Sequence, residues 1–228
     1  MKQDQYFRDF QKLCIDILAQ SDNCQESQDL FRASRSVPEL VTAWQRFWAG
    51  VLHEVPEQVI KAFGALYPVY RDDILRAGFY YNEAPPIDAP ASMVLIGNSA
   101  PVPEASASGS EAPVPLTIAG RHRVYVLGDH PITCTDNANV HIVADSANVT
   151  LTGNARCNIE RGTVTARDRS TVSGRGTIHC YDSTTILAYG GIVHDHGHLD
   201  IRAYNDATIY SFTNRRIEFH DNAKLIYE

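Results

Sequence analysis

Long apolar runs are missing from this 228-residue chain. The longest, Met93 to Gly97, falls far short of the ~20 residues that cross a bilayer, so no membrane association through a spanning helix is expected. The opening Met1-Lys2-Gln3-Asp4-Gln5 is polar, and no apolar segment of the ~7 to 15 residues that an export signal needs follows it, which points to a cytoplasmic protein. Cysteine is sparse and lacks any Cys-x-x-Cys spacing. Cys14, Cys24, Cys134, Cys157 and Cys180 read as reduced thiols. Positive charge is also short, with 20 Lys and Arg against 27 Asp and Glu and a net charge of −7. Such a balance repels phosphate backbones and makes nucleic acid a poor partner. P-loop, dinucleotide and nucleophile-elbow signatures do not occur, so no cofactor is implied by a motif.

What is present is ordinary globular composition, 44% apolar and 21% charged, distributed unevenly. Residues 1–120 carry 15 acidic and 9 basic side chains, and residues 121–228 carry 12 and 11. In Tyr6 to Leu18, apolar residues fall at Phe7, Phe10, Cys14, Ile17 and Leu18, which places one stripe on a helix. Ser36-Val37-Pro38-Glu39 has the form of a capping box and predicts a helix to about Glu54, with Trp44, Phe47, Trp48, Val51 and Leu52 on one side. Pro56 opens another helix carrying Val59, Ile60, Phe63 and Leu66, and a last one near Val69 to Ala77 stops at Gly78. The Trp44, Phe47 and Trp48 cluster is best taken as core packing. A small helical bundle over residues 1–84 is expected.

Between Pro85 and Pro115 lie 7 of the 11 prolines. Residues 85–117 therefore read as a Pro/Ala/Ser-rich linker, with Met93-Val94-Leu95-Ile96 as a short strand inside it. Beyond Arg121 a unit of about eight residues repeats, as in Asp136-Asn137-Ala138-Asn139-Val140-His141-Ile142 and Asp145-Ser146-Ala147-Asn148-Val149-Thr150-Leu151. Each unit joins a turn-forming pair to an alternation whose first, third and fifth side chains share one face. The central aliphatics fall at Val124, Ile132, Val140, Val149, Cys157, Val164, Val172, Ile178, Ile186, Ile192, Ile201, Ile209, Ile217 and Leu225. Short strands joined by single corners wind as a solenoid. The expected architecture is α+β and multidomain: the helical bundle followed by a parallel β-helix over residues 118–228, three-sided, with three units per coil and four to five coils. In that register His141, Thr165, Leu187 and Tyr210 form one outward ladder, and Tyr125, Thr150, Ser173, Val193 and Glu218 a second.

The octads, visible in Ile186-Leu187-Ala188-Tyr189 and Ile201-Arg202-Ala203-Tyr204, resemble the degenerate Asp-x-Ala-x-Val-x-Ala-Tyr β-helix arrays of uncharacterised proteins from gut bacteria, their phages and mobile elements. The resemblance covers about 105 residues. It implies a non-enzymatic protein-binding module, an inhibitor that sterically blocks a bacterial defence protein in the manner of an anti-CRISPR protein. Leu187, Val193, Tyr210 and Ile226, placed outward by the register, are the expected partner-binding residues. An alternative is a metal-dependent enzyme. His194, His196, His198 and Asp200 form the densest cluster of ligand types and would hold a divalent metal, with His194 inward and His196 and His198 flanking a corner. A third reading is a structural rod that self-associates end to end, giving a homodimer.

Overall fold

The computed structural model describes residues 2–20, 25–52, 56–98, 115–197, 200–212 and 217–227. The chain divides into two compact units, Met1–Tyr81 and Asn82–Glu228. Within the first, four helices, α1 (Lys2–Gln20), α2 (Gln25–Ala33), α3 (Val37–Leu52) and α4 (Pro56–Arg76), precede a short strand, β1 (Phe79–Tyr81). The helix start at Ser36 matches the expected capping box in part, with Glu39 reaching back to the residue before Ser36. The Ser36 carbonyl accepts from the Leu40 N–H at 3.0 Å, and Glu39 reaches back to accept from the Arg35 N–H at 2.7 Å. The two helices expected after Pro56 follow one another within α4 across a kink: Pro68 sits just before it, and Tyr70 takes non-helical angles (φ −125, ψ 24). Gly78 ends it with φ +74. Helix α2 has no counterpart among the sequence expectations.

Four rings form the centre of this unit. Trp44 stacks on Phe79 at 5.0 Å and meets Phe10 at 5.1 Å and Phe63 at 4.7 Å. All four rings are buried, which makes the tryptophan a packing residue. The side chains of Phe47 and Trp48 lie outside the described residues.

The second unit is a parallel β-solenoid. Among the described residues its strands are β2 (Met93–Ile96), β3 (Leu116–Ala119), β4 (Arg123–Val126), β5 (Ile132–Thr135), β6 (Asn139–Ile142), β7 (Asn148–Leu151), β8 (Arg156–Ile159), β9 (Thr163–Ala166), β10 (Thr171–Gly174), β11 (Thr177–Cys180), β12 (Thr185–Ala188), β13 (Ile192–Asp195), β14 (Asp200–Ala203), β15 (Thr208–Ser211), β16 (Ile217–Phe219) and β17 (Lys224–Tyr227). Even-numbered strands stack in one row and odd-numbered strands in the other. Two strands therefore make a coil, and the solenoid has about 8 turns. The expectation of a three-sided coil repeated four to five times is corrected by this register: Val172 pairs with Cys157 on one side and Ile186 on the other, two octads away each time. Interior side chains explain the closure. Val, Ile, Leu, Cys and Ala fill the ~10 Å gap between two facing sheets, whereas a triangular lumen would leave them short of contact.

The corners are built from residues that tolerate left-handed backbone. Asp136, Asp168, Asp182, Asn205 and Asp221 have φ between +53 and +61, and Gly153 at φ +66 holds the equivalent place. Successive corners are linked by carboxylates. Asp168 accepts from the Gly153 N–H at 2.8 Å, Asp182 from the Asp168 N–H at 3.1 Å, and Asp221 from the Asn205 N–H at 3.0 Å. The short strand expected at Met93 is β2, paired in parallel with β4. No helix is long and apolar enough to cross a membrane among the described residues.

Candidate functional site on the outer face of the odd-numbered row

Parallel, in-register pairing sets equivalent side chains ~4.8 Å above one another, so an outward position repeated from coil to coil becomes a ladder. On the odd-numbered row that ladder runs Thr133, Thr150, Thr165, His179, His194, Tyr210, Ile226. Its upper rungs are planar rings. His179 and His194 stack with centroids 4.7 Å apart and planes 7° apart, and His194 and Tyr210 with values of 5.1 Å and 15°.

A second stack runs alongside at the end of the same strands. The Arg167 guanidinium lies 4.3 Å from the Tyr181 ring centroid, and Tyr181 stacks on His196 at 4.7 Å and 17°. The two stacks meet through His196, whose centroid is 5.9 Å from His179 and 6.2 Å from His194. Three imidazoles, two phenols and one guanidinium thus occupy one strip. Burial, and then the neighbouring His194 and His196 imidazoles, hold His179 below the usual histidine range.

Comparison with protein-family models, curated proteins and solved structures yields no match. The strip has to be understood from its own chemistry. Rings stacked along the rod cover one another's faces and leave their edges for contact. Mutual stacking also fixes their rotamers.

The residues singled out from the sequence are distributed differently. His194 faces outward, not inward as expected, because the interior position of β13 belongs to Val193. Val193, expected on a docking surface, is fully buried and pairs with Ile178 and Ile209, while Ile192, expected inside, is 39% exposed. The physical cause is the Gly190-Gly191 corner, whose φ values of +145 and +78 admit one more residue before the strand resumes its alternation. His196 joins the ring stacks, and His198 lies outside the described residues. Asp200 is on β14 in the opposite row, paired with Thr185, so the structure separates it from His194. Among the described residues no group of three or more His, Cys, Asp or Glu is placed to hold a metal ion.

Tyr210 and Ile226 are adjacent rungs of the ring ladder. Leu187 sits on the opposite row between Ser173 and Arg202. There it lines a shallow groove of about 540 Å³ with Thr185, Asp200, Arg202 and Glu218. The two expected outward ladders are both replaced: His141 stands between Tyr125 and Asn158, and Thr165 between Thr150 and His179. His179, Tyr181 and Arg167 were not among the expected site residues. Their signal was the placement of His179, Tyr181 and Arg167 two octads before His194, His196 and Tyr181 respectively, visible only once a coil is two octads long.

Proposed function

We propose that this chain is a non-enzymatic protein-binding module that contacts its partner through the ring strip of β11, β13 and β15. The observation that carries this reading is the unbroken stack His179, His194, Tyr210 on the outer face of a rigid two-row solenoid. Tyr and Arg are the residue types that anchor interfaces, and rings already held by stacking lose little freedom when a partner arrives. Imidazole, phenol and guanidinium edges supply hydrogen-bond donors, so the strip suits a partner surface offering carboxylate or carbonyl acceptors. The likeness of the octads to arrays from phages and mobile elements extends the reading to a steric blocker of a bacterial defence protein, a role that requires no catalytic group.

The test compares proteins captured from a host lysate by the wild-type chain, by Tyr210→Ser with His194→Ser, and by Leu187→Ser on the opposite row. A specific protein retained by the wild type and by Leu187→Ser but lost from the double variant supports the strip. Equal retention by all three, or loss only with Leu187→Ser, places the contact elsewhere.

A further inference from the structure

We infer that the ring strip takes an acidic peptide segment, a run of Asp or Glu side chains, as its partner and binds protons together with it, so that the contact tightens at mildly acidic pH. This rests on the strip being the contact surface and adds the chemistry of what it holds. His179, His194 and His196 lie with ring centroids 4.7, 5.9 and 6.2 Å apart and planes within 11° of parallel, so three titratable rings share one small area. His196 is exposed and the other two are half-buried, which leaves ring edges open to a partner. None of the outward side chains of β9, β11, β13 and β15 is a carboxylate. The carboxylates that border the strip in sequence already hold hydrogen bonds. Asp168 accepts from the Gly153 N–H and Asp182 from the Asp168 N–H, while Asp195 turns inward to Ser211 and Gly197. The other groups against the three imidazoles are the Tyr181 ring with Arg167 on it, the Tyr210 phenol, and, on the interior side, the Cys180 thiol beneath the His194 carbonyl.

Charge complementarity selects this partner. On a chain of net charge −7, the outward side chains of these strands can gain only positive charge as pH falls through the histidine range. Stacking holds the imidazoles close together, so a proton on one disfavours a proton on the next. That is the direction at His179, which burial and then the two neighbouring imidazoles hold below the usual histidine range. Carboxylates laid along the ring edges reverse the second effect. Opposite charge favours the imidazolium, and its N–H groups then donate charge-assisted hydrogen bonds. Linkage is reciprocal: a partner that raises proton affinity is itself bound more tightly when protons are plentiful. A neutral carbonyl surface has no such coupling.

The test measures binding of a short fluorescent peptide of alternating Glu and Gly, and of its Gln and Gly counterpart, to the full chain without a histidine tag, with far-ultraviolet circular dichroism to verify the fold at each pH. Uptake of a single proton predicts that the Glu peptide binds about tenfold more tightly at about pH 6 than at about pH 8, and that the Gln peptide shows no such dependence. His179→Gln combined with His196→Gln should remove the dependence. His196→Gln alone, at an exposed position that folding tolerates, should reduce it. A Glu peptide that fails to bind at the lower pH, binds equally at both, is matched by the Gln peptide, or keeps its full dependence in both variants would overturn the inference. Capture from a lysate separates that failure from failure of the strip. A protein lost with Tyr210→Ser and His194→Ser but retained equally at both pH values leaves the strip as the contact surface and overturns only the acidic partner; capture indifferent to that double variant overturns both.

Discussion

The Ser211 hydroxyl donates to the Asp195 carboxylate at 2.7 Å inside the solenoid, where the serine is fully buried and the aspartate only 5% exposed. Asp195 also accepts from the Gly197 N–H at 3.0 Å. Directly below, the Cys180 thiol donates to the His194 carbonyl at 3.3 Å, and its pKa is raised by burial and by the adjacent Asp195 charge. A buried carboxylate held this way is costly to strand. Ser211→Ala should destabilise the unit by about 1–3 kcal/mol, and adding Asp195→Ala should restore much of that loss, because removing both partners leaves no buried charge unpaired. Urea unfolding of the single and double variants measures the difference.

Acid should weaken the solenoid through two histidines. His179 is held below the usual histidine value of 6.5 chiefly by burial and then by His194 and His196, and His122 is held below the same value by burial. Ser92 donates its N–H to His122 Nδ1 at 3.3 Å, and its hydroxyl lies 2.8 Å from the same nitrogen. Well above pH 6.5 both histidines are neutral in the folded and the unfolded chain, and neither contributes to stability. Below it the unfolded chain binds protons that the fold resists, so stability falls with pH until the depressed folded values are reached. The melting temperature should therefore drop between about pH 7.5 and about pH 5, and His179→Gln should make that drop smaller. An unchanged slope in the variant would remove His179 from the account.

Trp44 is a packing residue with a polar flaw. Its Nε1 is buried with no hydrogen-bond partner among the described residues, although its ring contacts Phe10, Phe63 and Phe79. Trp44→Phe keeps most of the ring and discards the unpaired N–H, so it should cost about 1 kcal/mol or less, whereas Trp44→Ala should cost about 3–5 kcal/mol. Thermal or denaturant unfolding of the two variants separates ring volume from the indole N–H.

Two glycines with similar backbone angles should respond differently to alanine. Gly78 has φ +74 with nothing within 4 Å of an added Cβ, while Gly191 has φ +78 and a Cβ there would fall against the Gly176 backbone. Gly78→Ala should cost only the conformational strain, about 1 kcal/mol. Gly191→Ala adds a backbone collision between stacked coils and should cost about 2–4 kcal/mol. Equal losses would mean that the corner has room to relax.

Thirteen of the fourteen central aliphatics expected from the octads face the interior. The failure at Ile192 has a local cause, since a Gly-Gly corner carries no side chain to mark where the alternation resumes. The ring strip was hidden for a different reason. Octad spacing is the same whether two or three units close a coil, and stacking neighbours change completely between the two: Tyr210 adjoins His194 in one and Leu187 in the other. Asp200, four residues beyond His196, lies in the opposite row, paired with Thr185.

Sequence alone determined the helical stretch, the winding of short strands into a parallel solenoid, and the interior fate of Cys134, Cys157 and Cys180, because periodicity and turn chemistry are local properties. Tertiary structure alone decided the coil circumference, and with it which outward side chains stack. That choice rests on how closely two sheets of small interior side chains can approach, a packing condition that involves residues far apart in the chain.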